Sequence, residues 1–131
     1  MLKIIRTVAV VLVLLMMATT SFAERRGRWW LDPHVVKNLD LTNDEVQKLE
    51  NAFNTSSIKM IELKSKVEQE QYKLQALLEQ QNMDENAINT QIQNLEKARS
   101  ALGIERTRFV VQVRKIIGYE QFQKYLDMRR R

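Results

Sequence analysis

Residues 88–116 read INTQIQNLEKARSALGIERTRFVVQVRKI, and this stretch decides the fold. Every seventh residue in it is apolar, namely Ile88, Leu95, Leu102, Phe109 and Ile116. A strict seven-residue spacing keeps apolar side chains on one stripe of an α-helix and is typical of a left-handed coiled coil. We therefore predict a long helix that packs against another helix along this stripe. The flanking positions of the seam are predicted to be Ile92, Arg99, Arg106 and Val113.

The preceding stretch carries the same period. Its first seam positions are Val46, Phe53, Met60, Val67 and Leu74, and the positions three residues later are Leu49, Ser56, Leu63, Glu70 and Leu77. Eight of these ten residues are apolar. The phase continues across residues 54–57, where helix propensity is weak. We expect one helix that extends to about Gln80 and is either straight or kinked at 54–57.

A short polar turn separates the two periodic stretches. It covers residues 81–85, in which Asn82 or Asp84 can cap the following helix. Two helices of similar length joined by a short turn form an antiparallel hairpin. Gly118 should break the second helix, and residues 119–128 should form a short last helix. The predicted fold class is all-α: a long antiparallel helical hairpin with short flanking helices.

Helix-capping patterns precede the hairpin. The Asp-Pro pair at 32–33 has the form of an N-cap and a first helical residue, which predicts a short helix over residues 33–38. Residues 39–41 are expected to form an extended link. Thr42 and Glu45 have the spacing of a capping box, so the first long helix should begin there.

The first 23 residues have the form of a secretory signal peptide. Lys3 and Arg6 give a basic start, residues 8–17 are an unbroken apolar run, and a small-x-small cleavage site ends at Ala23. The alternative is an uncleaved anchor, but the run is shorter than the ~20 residues that a membrane span requires. We therefore expect cleavage, export to the periplasm and no transmembrane span. The predicted segments are a signal peptide (1–23), a basic and aromatic arm with a short helix (24–41), the helical hairpin (42–128) and a basic tail (129–131).

Composition excludes several kinds of site. The chain has 131 residues and a formal net charge of +5, with one His, three Gly, one Pro and no Cys. Disulfides, thiolate metal sites and a Cys nucleophile are excluded, and phosphate-binding Gly-rich loops are disfavoured. The sequence offers no nucleophile–base pair, so we expect no enzymatic activity and no obligatory cofactor.

A hairpin of two helices buries only a thin core. About a dozen seam side chains would each contribute ~1.5–3 kcal/mol on burial, and the loss of chain entropy opposes nearly all of it. Further apolar side chains remain off the seam, and a second copy of the chain is their natural cover. We therefore predict a homodimer. The off-seam residues are Ile58, Ile61, Ile104, Val110, Val111 and Ile117.

Basic residues also recur at seven-residue spacing. Lys59, Lys66 and Lys73 follow the first helix, and Arg99 and Arg106 follow the second. One interpretation is a solvated flank whose cations pair with acidic neighbours, here Glu62, Glu70 and Glu105. The other is an electropositive cradle that attracts acidic, unfolded polypeptides, which nearby apolar side chains then hold.

Two short motifs carry a family resemblance. Residues 39–45, LDLTNDE, resemble the first L-T-x-x-Q motif of the Spy/CpxP and zinc-resistance-associated periplasmic family, with Glu in place of Gln. Residues 117–121, IGYEQ, resemble the second motif, with Ile and Gly in place of Leu and Thr. The resemblance covers the whole mature chain and implies the hairpin fold. The residues at the motif and capping positions are Leu41, Thr42, Glu45, Ile117, Gly118 and Gln121.

The resemblance implies three alternative functions, because this family includes ATP-independent chaperones, metal-binding sensor or resistance proteins and repressors of sensor kinases. The first expectation is a periplasmic chaperone or envelope-stress adaptor that binds partially unfolded proteins. A metal role would depend on His34, the only imidazole, as a ligand of zinc or another divalent transition metal. No nucleic-acid partner is expected of an exported protein, and a membrane-surface role for the basic termini is the weakest alternative. The candidate client-binding residues are Lys59, Lys66, Lys73, Arg99, Arg106, Ile58, Ile61, Val110 and Val111.

Overall fold

The computed structural model of the protein describes residues 27–131, so the predicted signal peptide at 1–23 lies outside the described residues. A 3₁₀ helix at Trp29–Leu31 is followed by helices α1 (Pro33–Asn38), α2 (Asn43–Leu78) and α3 (Glu85–Arg130). Residues 27–131 contain no strand, and the two long helices pack against each other. The predicted all-α helical hairpin is confirmed. None of the helices in this range combines the length and the apolar character needed to cross a membrane.

Backbone contacts divide the chain into a unit that ends at Val46 and a second unit over Gln47–Arg131. In the first unit, the carboxylate of Asp32 accepts a hydrogen bond from the backbone N–H of His34 at 2.9 Å and caps α1. The capping box is also confirmed. The Thr42 hydroxyl accepts from the Glu45 amide at 3.1 Å, and the Glu45 carboxylate accepts from the Thr42 amide at 2.9 Å.

The link at residues 39–41 is a tight turn, so the prediction of an extended link is wrong. Asp40 has a φ of 49°, in the left-handed region. Its backbone N–H bonds to the carbonyl of Lys37, and the N–H of Leu41 bonds to that of Val36. These two bonds form a Schellman motif, which satisfies the last carbonyl groups of α1 and ends the helix.

Helix α2 is continuous from Asn43 to Leu78, including the weak stretch at 54–57. The hydroxyls in this stretch are all bonded within the second unit. Thr55 and Ser57 donate to backbone carbonyls of the preceding turn, and Ser56 donates across to α3. These hydroxyls all find partners in the helical conformation, two of them by sharing carbonyl oxygens of the helix itself, so the weak stretch stays helical.

The register of the hairpin follows from three pairs of side chains. Ser56 bonds to Glu105, Glu70 bonds to Gln91, and the rings of Phe53 and Phe109 meet edge to face at 5.9 Å. The partner number falls as the α2 number rises, so the helices are antiparallel. Asp84, one of the two predicted caps, accepts from the backbone N–H of Ala87 at the start of α3.

The seam of α3 lies one residue earlier than predicted along most of its length. The predicted flanking residues Ile92, Arg99 and Arg106 are exposed, whereas Val113 is buried as expected. The residues buried in their place are Gln91, Ala98 and Glu105, each of which follows an apolar heptad residue by three positions. Helix α2 places polar Ser56 and Glu70 in the seam. Polar residues are therefore the complementary partners on α3.

Gly118 breaks α3, as predicted. Its φ of 82° and ψ of 173° lie in a region that is essentially restricted to glycine, and helical structure resumes after it to Arg130. Ile117, which the sequence placed among the uncovered apolar residues, is instead buried at 3% exposure. The remaining predicted off-seam residues are exposed: Ile58, Ile61, Ile104, Val110 and Val111.

Candidate functional site on the helical hairpin

The first polar layer of the seam is centred on Glu70. This carboxylate is buried, and Lys66 and Lys73 lie on the same oxygen at 2.9 and 3.3 Å. The side-chain amide of Gln91 donates to the other oxygen at 2.6 Å and also to the backbone carbonyl of Glu70 at 2.9 Å. All the polar atoms of this buried group therefore have partners, as a stable interior requires.

These contacts stabilise the charged form of Glu70. The hydrogen bond from Lys66, followed by that from Gln91, outweighs the effect of burial and lowers the pKa of Glu70 from 4.5 to about 2. The carboxylate is therefore ionised at neutral pH and neutralises part of the charge of the two lysines.

The second polar layer is centred on Glu105, two heptads along α3 from Gln91. The Ser56 hydroxyl donates to one oxygen of this buried carboxylate at 3.1 Å. Lys59 lies 3.3 Å from the other oxygen and Arg108 lies 3.9 Å from it. The two layers thus share one design, in which a buried carboxylate in the seam holds two cations at its edge.

An open groove lies beside the Glu105 layer and has a volume of about 490 Å³. Ala52 and Phe109 supply apolar surface, while Ser56 and Glu105 supply the polar part. The remaining lining residues are cations, amides and one hydroxyl: Lys59, Arg108, Asn51, Gln112 and Thr55. The groove is formed entirely by residues of the second unit.

The structure separates the predicted basic stripe into two groups. Lys59, Lys66 and Lys73 all pair with the two seam carboxylates, which agrees with the solvated-flank interpretation for Glu70 and Glu105. Arg99 pairs instead with Glu96 at 2.6 Å, and Arg106 is exposed. By heptad position these two arginines follow the opposite edge of the seam from the lysines.

The predicted apolar client-binding residues are solvent-exposed in the single chain. The exposed fractions are 64% for Ile58, 68% for Ile61, 47% for Val110 and 46% for Val111. Aliphatic side chains at this exposure indicate a surface that gains by binding another apolar surface.

Comparison with known proteins adds one match. The family model described as heavy-metal resistance matches residues 6–124. The chain belongs to the heavy-metal resistance family. This family is part of the Spy/CpxP and zinc-resistance-associated group with the L-T-x-x-Q motif, so the resemblance drawn from the sequence is confirmed. No curated relative and no solved structure matches the chain.

The two motifs of this member of the heavy-metal resistance family are helix boundaries in the structure. Leu41 is buried, and the next residue opens the capping box of α2. Ile117 is buried and Gln121 is half-buried on either side of the glycine that breaks α3. The glycine adopts a backbone conformation that a threonine in the same place would find strained.

His34 is not part of a cluster of metal-ligating side chains within the described part of the chain. The side chain is exposed in the first turn of α1. Residues 27–131 contain no group of three or more His, Asp or Glu side chains placed to hold a metal ion. Metal binding through His34 stays a prediction.

Sequence reasoning missed the seam positions of Gln91 and Glu105, although Glu105 was expected to pair with the lysines, and it missed Arg108 altogether. One signal could have revealed the first two: they fall three residues after Ile88 and Leu102, the same offset that places Ser56 and Glu70 in the seam of α2. Arg108 becomes identifiable only when the register brings it beside Lys59, because both cations reach the same carboxylate.

Proposed function

We propose that this protein is a periplasmic holdase that binds partially unfolded envelope proteins without ATP. The observation that carries the proposal is the set of exposed aliphatic side chains on the long helices, which also carry rows of cations. Membership in a family of resistance and chaperone proteins supports it, and the periplasm is the typical location of that family.

The physical argument is one of weak, reversible capture. Exposed aliphatic groups gain free energy when they cover apolar surface, at about 25 cal/mol per Å² removed from water. A narrow hairpin offers few such groups, so the total binding free energy is small. A client can therefore be released without an energy source. Cations on the same helices raise the rate of encounter with acidic polypeptides.

The test is the aggregation of a chemically unfolded protein in the presence of this chain, purified from the periplasmic fraction and stripped of metal. An intact mass that begins at Glu24 would show the predicted cleavage. We expect suppression of light scattering near stoichiometric amounts and without ATP. Full aggregation at a molar excess of the chain would contradict the proposal.

A matched pair of variants tests the surface. Ile58→Gln with Ile61→Gln should weaken suppression several-fold, because both side chains are exposed and their loss leaves the seam intact. Ser65→Gln is the control, since Ser65 is also exposed on α2. Charge reversal at Lys59, Lys66 and Lys73 should also weaken capture, but Lys66 and Lys73 stabilise Glu70, so its effect on stability must be measured with it.

Heavy-metal binding is the second candidate function, and the family description supports it equally. It predicts a rise in unfolding temperature with zinc or nickel that His34→Ala removes. Suppression of aggregation only when zinc is present would join the two functions. A third role, repression of a sensor kinase by direct docking, predicts inactivity in both assays and binding to the sensor domain of that kinase.

A further inference from the structure

The groove beside Glu105 carries an unbalanced charge. Lys59 and Arg108 share one carboxylate, so the three groups together have one net positive charge. The Arg108 guanidinium lies 3.9 Å from Glu105, which is too long for a hydrogen bond, and its side chain is 66% exposed. Its planar donors are therefore oriented by attraction to Glu105 and can still form a bidentate pair with a second carboxylate.

The Glu70 layer shows the contrast. Both of its lysines lie within 3.3 Å of the carboxylate, and the Gln91 amide takes the remaining oxygen. That layer is a closed structural contact. In the Glu105 layer, Lys59 is held at the same 3.3 Å, but Arg108 lies farther away at 3.9 Å and lines a groove of about 490 Å³.

The lining of the groove suits one end of a peptide segment. Ala52 and Phe109 form an apolar floor for an aliphatic side chain. The rim carries amide and hydroxyl groups, which can form hydrogen bonds with the backbone of a bound peptide. They belong to Asn51, Thr55 and Gln112. Because aliphatic and cationic surfaces lie side by side, the complementary ligand carries an apolar residue next to a carboxylate.

We propose that this groove is a client-anchoring subsite that binds an unfolded segment through an aliphatic side chain and an adjacent Asp or Glu carboxylate. Arg108 and Lys59 bind the carboxylate, and Ala52 and Phe109 receive the aliphatic group. The inference rests on the proposed holdase function and deepens it, since it specifies the local sequence that a client presents.

The experiment compares two fluorescently labelled peptides that bind the full processed chain. One alternates Leu and Glu, and the other replaces each Glu by Gln. We expect the acidic peptide to bind at least about tenfold more tightly, the equivalent of about 1.4 kcal/mol. In NMR spectra it should shift the side-chain amide signals of Asn51 and Gln112. Equal affinities, or shifts confined to other residues, would overturn the subsite.

Variants of equal charge change give the control. Arg108→Gln should remove most of the preference for the acidic peptide, and Lys64→Gln, an exposed cation on the opposite edge of the seam, should leave it in place. An equal loss in both variants would mean that only overall charge matters and would overturn the subsite. Aggregation assays separate the two proposals: suppression without peptide preference contradicts the groove alone, and preference without suppression contradicts the holdase function.

Discussion

At the residue scale, the carboxylate of Glu70 makes the stability of the fold depend on pH. Its folded-state pKa of about 2 is lower than the 4.5 expected when it is unfolded. The group therefore stabilises the fold fully above pH 4.5, and this contribution is lost as the pH falls through about 2. In urea unfolding, Glu70→Gln should be less stable than the parent at neutral pH, and the two should converge between these pH values.

The control for this prediction is Glu62→Gln, which changes an exposed carboxylate on the same helix. It should leave the acid dependence of the parent protein unchanged. Stability curves for Glu70→Gln and the parent that stay parallel down to pH 2 would show that Glu70 is not held in its charged form by the seam.

Two glycines of α3 should respond to alanine with opposite signs. Gly118 has a φ of 82°, and a methyl group there would meet no atom within 4 Å, so the cost of Gly118→Ala is purely one of backbone conformation. We expect a loss of about 1–3 kcal/mol in the free energy of unfolding. Gly103 is exposed within the helix, so Gly103→Ala should add about 0.5–1 kcal/mol. Changes of the same sign in chemical denaturation would contradict the glycine-specific break.

At the scale of the elements, the polar layers align α2 with α3. Gln91→Leu removes the side-chain donor that one carboxylate oxygen and the backbone carbonyl of Glu70 share. The free energy of unfolding should fall by about 1–3 kcal/mol. Adding Glu70→Leu should recover part of that loss, because an apolar pair has no unsatisfied group. A double-mutant cycle in urea should give a coupling of about 0.5–3 kcal/mol.

A distant pair provides the reference for that cycle. Ser56 lies in the Glu105 layer, two heptads or roughly 21 Å along the helices from the layer of Gln91. The effects of Ser56→Ala and Gln91→Leu on the free energy of unfolding should therefore add within about 0.5 kcal/mol. Additivity for both pairs would mean that the Glu70 layer does not act as a unit.

At the scale of the whole molecule, exposed aliphatic side chains predict self-association. Ile92 is 42% exposed and, by heptad position, lies at an edge of the seam of α3. Sedimentation equilibrium should give twice the mass of the chain, and Ile92→Gln should shift the equilibrium towards the monomer. Ile104→Gln, on the opposite edge, should not. A monomer at all accessible concentrations would contradict the predicted homodimer.

Local features of the molecule were predictable because they depend on neighbours a few residues away. The caps at Asp32, Thr42 and Asp84 and the break at Gly118 all appear where the sequence places them. The turn at residues 39–41 was not predictable in the same way. It requires Asp40 to adopt the left-handed conformation, which aspartate tolerates but which the presence of an aspartate does not predict.

By itself, the sequence determined an all-α hairpin with its caps, its glycine break and its family, because heptad spacing and capping are properties of a single helix. The heptad offset marks Gln91 and Glu105 as candidates, but it takes the packing of the two helices to bring them into the seam and to let Lys59 and Arg108 share a carboxylate beside a groove. A polar residue is stable in a seam only when the facing helix supplies its partner. That partner is set by the register of two segments distant in sequence, which no local pattern contains.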